Sequence, residues 1–96
     1  MPMYVTLVNW TDQGIRDVKE TVRRGEQAVQ LAERMGGHMT LYWTQGRYDL
    51  VAVGEFPDDE SASAVLLTIG SQGSVRSEVL RAHTAQDMQR ILDKMP

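Results

Sequence analysis

The chain has no cysteine, few prolines and aromatic residues, no excess of basic charge and no long apolar run, and most of these absences exclude something. Without cysteine there is no disulfide, thiolate metal site, iron–sulfur cluster or thiol nucleophile. Such a chain fits a reducing compartment, and a cytoplasmic location is the expectation. The formal net charge of -3 leaves no basic stripe to displace counterions from nucleic acid. Arg23 and Arg24 are the only local basic concentration, and Glu20 and Glu26 flank them, so no nucleic-acid partner is expected. No stretch approaches the ~20 apolar residues of a membrane span. The start, "MPMYVTLVNW", lacks the pattern of a secretory signal, so no membrane partner is expected either.

What is present is an ordinary globular composition, 42% apolar and 24% charged over 96 residues, which reads as one domain spanning 1–96. Met3–Asn9 is rich in β-branched and apolar residues and reads as a strand. Thr11 offers an N-cap for a long helix, whose apolar face is Ile15, Val18, Val22, Gly25, Val29 and Ala32, widened by Ala28, Leu31 and Met35. Gly25 inside that run marks a kink or a close backbone contact, and Gly36-Gly37 stops the helix. His38–Thr44 and Arg47–Phe56 read as strands around a "QG" turn. Asp58 caps a second helix with an apolar stripe of Ala62, Val65, Leu66 and Ile69, ended by "GSQG" at 70–73. Val75–His83 is a fourth strand. Thr84 and Asp87 form a capping-box-like start to a last helix carrying Met88, Ile91, Leu92 and Met95 on one side.

Strand, helix, strand, strand, helix, strand, helix is the order of two split β-α-β units with an extra C-terminal helix. The expected class is α+β: a ferredoxin-like βαββαβ fold with helices on one face of a four-stranded antiparallel sheet. The strands are apolar on both faces, however. Met3, Val5 and Leu7 oppose Tyr4, Val8 and Trp10, and Val51 and Val53 oppose Leu50, Ala52 and Phe56. Helices cover only one face, and an uncovered apolar sheet face marks an interaction surface. Its simplest cover is a second copy of the chain, sheet against sheet, in an isologous homodimer.

Three blocks, "NWTDQGIRDVKETVRR", "GRYDLVAVGEFPDDE" and "GSQGSVRSEVLRAHT", resemble the GYD-domain family of small prokaryotic proteins across essentially the whole chain. The signature matches Gly46, Tyr48 and Asp49, with Arg47 intervening. Val22 departs from the pattern, which places a small polar residue or proline near a bend of the first helix. The resemblance implies a ferredoxin-like subunit pairing as a dimeric α/β barrel, and no established activity. Related dimeric α/β-barrel families include cofactor-free monooxygenases, isomerases, haem enzymes and ligand-binding regulatory domains, which is analogy of fold alone.

The topology brings Asn9, Trp10, Trp43, Tyr48, Asp49 and Arg76 to one end of the sheet. Aromatic walls with a few polar groups suit a small-molecule pocket. Within it Asp49 is available as base or anchor, Tyr48 as donor and Arg76 as anion clamp. Against this stand structural roles. Gly46 supplies positive φ to a hairpin, Asp49 accepts backbone N–H groups, and the aromatics anchor a dimer. His38 and His83 fall at the opposite end on separate edges, too far apart in one subunit to share a metal, and no metal site or cofactor is expected. "GSQG" sits at a helix C-terminus, where the dipole repels anions. The first reading is a homodimer binding a small, partly apolar ligand between or beside its sheets. The alternatives are a cofactor-free isomerase or oxygenase using Asp49, and a purely structural or regulatory dimer.

Overall fold

A computed structural model describes residues 1–96. Four strands, β1 (Met3–Trp10), β2 (His38–Trp43), β3 (Leu50–Glu55) and β4 (Val75–Ala82), form one antiparallel sheet in the order β2-β3-β1-β4. The helices are α1 (Asp12–Arg16), α2 (Thr21–Arg34), α3 (Asp59–Ser71) and α4 (Ala85–Asp93). This is the α+β, ferredoxin-like class expected from the pattern.

The first helical segment differs from expectation. Instead of one helix there are two, separated by Asp17 and a 3-10 turn at Val18–Glu20. Thr11 does cap the first, accepting from the Gly14 N–H. The break reorients the apolar residues, so Ile15 and Val22 face solvent while Gly25 and Ala32 are buried. α2 runs unbroken through Gly25, which allows a close approach. A Cβ there would lie 3.0 Å from Leu41 Cδ1 and 3.2 Å from the Trp43 ring, so α2 settles directly onto β2. Gly36, at φ 82°, then reverses the chain.

The register sorts the sheet faces. Tyr4, Thr6 and Val8 on β1 and Leu50 and Ala52 on β3 are buried beneath α2 and α3. Met3, Val5, Leu7, Val51 and Val53 point to the open face and are only half-buried. Beneath the helices, Tyr4, Ala32, Phe56, Ala62 and Val65 form the core, with the Tyr4 and Phe56 rings edge to face at 5.9 Å. Burial pushes the Tyr4 phenol above its ordinary pKa, and its hydrogen bond to the Asp59 carboxylate adds to the rise. The Arg81 guanidinium lies over the same ring, 5.5 Å from its centre.

Asp58 caps α3, and the Ser61 N–H holds its carboxyl below the ordinary range. Thr84 and Asp87 form the expected capping box of α4, and the Thr84 N–H likewise lowers the Asp87 carboxyl. Yet α4 extends away from the body in a molecule 51 Å long, and Met88, Ile91, Leu92 and Met95 are exposed. No helix is long and apolar enough to cross a membrane.

Candidate functional site

The ends of β1 and β2 and the starts of β3 and β4 meet at one rim. Asn9 pairs with Arg76, Trp10 with Val75, and Trp43 with Leu50. The turn before β3 is longer than the pattern suggested: Arg47, Tyr48 and Asp49 precede the strand, and Gly46 takes φ 108°. Asp49 locks this turn to the neighbouring strands. Its Oδ2 accepts from the Trp10 N–H at 2.9 Å, its own N–H donates to the Val8 carbonyl, and its carbonyl accepts from the Thr44 N–H. Thr44 Oγ1 donates to the Tyr48 carbonyl at 2.7 Å, while the Arg47 guanidinium lies 5.7 Å from the centre of the Tyr48 ring. Neither Arg47 nor Arg76 forms an ion pair with Asp49.

The sheet divides the six rim residues. Trp10 and Trp43 lie on the helix side and Asn9 and Arg76 on the open side, because residues alternate along each strand. Trp43 packs against Gly25, and its Nε1 donates to Thr21 Oγ1 at 3.0 Å. Arg76 borders a shallow depression of about 830 Å³ between α3 and β4. His38 and His83 lie on opposite edges, at the end away from the rim.

Of the six, only Trp10 lines the cavity of about 460 Å³ that lies under the helices. Its floor is Thr6, Val8, Leu50 and Ala52, and its walls include Ala28 and Leu31 of α2 and Leu66 and Ile69 of α3. Arg24, Gln27, Gln30, Arg34 and Gln72 bring polar groups to the walls. The volume lies within the range of small-ligand sites. The hollow arises because Gly25, Ala28 and Ala52 are small where the opposite end of the same layer holds Tyr4 and Phe56. None of these small residues belongs to the aromatic and charged set that the sequence pattern gathers at the rim. Their signal was present as small residues on the inner side of the long helix and a threonine at an inward position between Tyr4 and Val8.

The end of the cavity nearest the rim is braced by main chain. Thr11 N–H donates to the Ser74 carbonyl and its Oγ1 to the Gly73 carbonyl, at 3.1 and 2.5 Å. Gly14 sits so close to this loop that a Cβ there would collide with the Ser74 carbonyl oxygen.

The GYD domain model matches residues 4–92. The chain belongs to the GYD-domain family. It is 30% identical over 90 residues to the glutamine synthetase and cystathionine beta-lyase binding protein of Thermus thermophilus, covering 92% of this chain and 95% of that protein. Among solved structures, it is similar to TTHA0845 from Thermus thermophilus, with a TM-score of 0.57 and 24% identity over 88% of this chain and 96% of that one. At3g17210 from Arabidopsis thaliana gives a TM-score of 0.58 at 14% identity, again over 88% and 96%. These two similarities concern the fold. The GYD domain thus carries an aromatic rim, an apolar sheet face turned away from the helices and a cavity under the helices that the rim reaches through Trp10.

Proposed function

We propose that this GYD-domain protein is a cytoplasmic homodimer of the α/β-barrel type whose subunits each hold a small, partly apolar ligand beside the sheet, in the cavity under α2 and α3. The observation that carries the ligand reading is that cavity, with a floor that is apolar except for Thr6 and polar groups along its walls. Pairing is argued from the open face, where Met3, Val5, Leu7, Val51 and Val53 lie side by side in the register, half-buried and turned away from α2 and α3. In this reading Trp10 contacts the ligand. Asp49, its carboxylate engaged by the Trp10 amide, holds the rim in shape rather than acting as acid or base. Native mass spectrometry of the purified protein tests both parts. A dimer with a reproducible extra mass is the expected result; a monomer at micromolar concentration defeats the pairing, and a dimer that never takes up added small molecules defeats the ligand site.

A second reading is favoured by α4, whose apolar residues Met88, Ile91, Leu92 and Met95 are exposed. The Thermus relative is named as a binding protein for two enzymes, and in this reading the present chain likewise docks on an enzyme. Calorimetric titration with the host's own glutamine synthetase tests it. Binding weakened by Ile91→Glu supports the adaptor role, and no heat of binding at tens of micromolar removes that enzyme as the partner.

A further inference from the structure

The charge of the cavity wall runs against the charge of the chain. The protein has 13 acidic residues against 10 basic ones, yet no Asp or Glu lines the cavity while Arg24 and Arg34 both do. Arg24 makes one loose ion pair, Nη2 to Asp17 at 3.6 Å, with a carboxylate that is not part of the lining. Arg34 makes none. The floor adds a second observation. Thr6 is only 4% exposed and Ser74 only 9%, both line the cavity, and neither hydroxyl has a hydrogen-bond partner within the chain. No side-chain oxygen is sealed off unpaired, so these hydroxyls open onto the hollow. A hydroxyl facing such a space is free to donate to, or accept from, a polar group placed there.

The register sets Thr6 level with Leu41 on the helix side of the sheet. Thr6 pairs with Ala52 and Ala52 with Leu41, the residue on which Gly25 of α2 rests beside Arg24. Below and beside them the surface is apolar, from Val8 and Leu50 to Ala28 and Ile69.

We infer that the ligand is an organic carboxylate with an apolar body, its head held by Arg24 and the Thr6 hydroxyl and its body laid over Val8, Leu50 and Ala28. This rests on the cavity reading above and names what the cavity selects. A guanidinium meets a carboxylate through two parallel N–H donors, a stronger arrangement than its single long contact to Asp17. A neutral analogue of the same shape leaves that guanidinium without an anion in the hollow.

A matched pair of probes tests this: 3-phenylpropionate and 3-phenylpropan-1-ol, titrated calorimetrically, with amide shifts locating the site. The acid is expected to bind at least about tenfold more tightly than the alcohol. Arg24→Gln is expected to weaken the acid about tenfold and leave the alcohol unchanged, and Thr6→Val to weaken the acid several-fold, with thermal melts checking that each variant folds. Equal binding of acid and alcohol, or indifference to Arg24→Gln, overturns the carboxylate inference while leaving a cavity ligand in place. Loss of acid binding on Arg34→Gln in place of Arg24→Gln overturns the assignment of the head. If neither probe binds, or if both bind equally well to Ala28→Phe, whose ring fills the hollow, the cavity reading itself falls.

Discussion

The space between the helices and the sheet has two unlike ends. At one, Tyr4, Phe56, Val65, Ala62 and Ala32 interlock with almost no exposure. At the other, Thr6, Ala52, Ala28 and Gly25 leave a hollow of about 460 Å³. The same two helices roof both, and Gly25, Ala28 and Ala52 stand at the hollow end where Tyr4 and Phe56 stand at the other. The filled end gains the stability of close packing, and the end with the small residues forgoes part of it and leaves space unfilled.

The sharpest way to break the comparison is to hollow the filled end. Phe56→Ala removes a ring that is 2% exposed and stacked edge to face on Tyr4. We expect a loss of about 3–5 kcal/mol in urea unfolding, a large part of the stability of a domain this size. Next in size is Asp49→Ala, which removes the acceptor of the Trp10 N–H at the rim and leaves that donor unpaired. About 1.5–3 kcal/mol is expected, and Asp49→Asn, which keeps an acceptor oxygen, is expected to recover much of it.

How much of this was legible beforehand differs between the two ends. Tyr4, Val65 and Ala62 fall at inward strand and helix positions, where period two and period 3.6 place them without ambiguity. The rim was legible as well, since strand order alone gathers Asn9, Trp10, Trp43 and Arg76. The same alternation that sorts the strand faces also divides the rim, sending Trp10 and Trp43 to one side of the sheet and Asn9 and Arg76 to the other, so strand order alone does not make one pocket of them. The pattern did not show the break at Asp17–Glu20, since Ile15 and Val22 continue the apolar period into a segment that the chain turns outward. The hollow was the least legible feature. An alanine on a helix reads as core in either case, and only the facing residue, Ala52 rather than an aromatic, decides whether the gap is filled. For α4 the pattern stated correctly that one side is apolar, but amphipathicity does not say whether the cover lies in the same chain.

Alkali sharpens the comparison from the filled end. The Tyr4 phenol is raised by burial and by Asp59, so the folded chain keeps this proton at pH values where the unfolded chain releases it. Its contribution is therefore complete below the unfolded pKa of about 10 and is lost as pH rises through the higher folded value. Tyr4→Phe is expected to remove that extra alkaline slope and to cost about 1 kcal/mol at neutral pH through the lost hydrogen bond to Asp59. An unchanged slope between pH 9 and 11 in the variant means that other groups carry the alkaline instability.

The smallest expected effect is the most discriminating. Enlarging a residue in a filled core costs about 1–3 kcal/mol through strain. Ala28 faces the hollow, so Ala28→Leu has space to extend into and apolar neighbours in Leu31, Leu50 and Ile69 to meet. Its stability is expected to lie within about 0.5 kcal/mol of the wild type, with burial of the added carbons offsetting rotamer loss. The matching change at the filled end, Ala62→Leu beside Val65, is expected to cost the full strain of overpacking. A large penalty at Ala28 means that the helices close the space in solution, and the guest site is then absent. Near-neutrality there, set against a clear penalty at Ala62, means that the hollow persists in solution and that this end of the layer is built to be occupied.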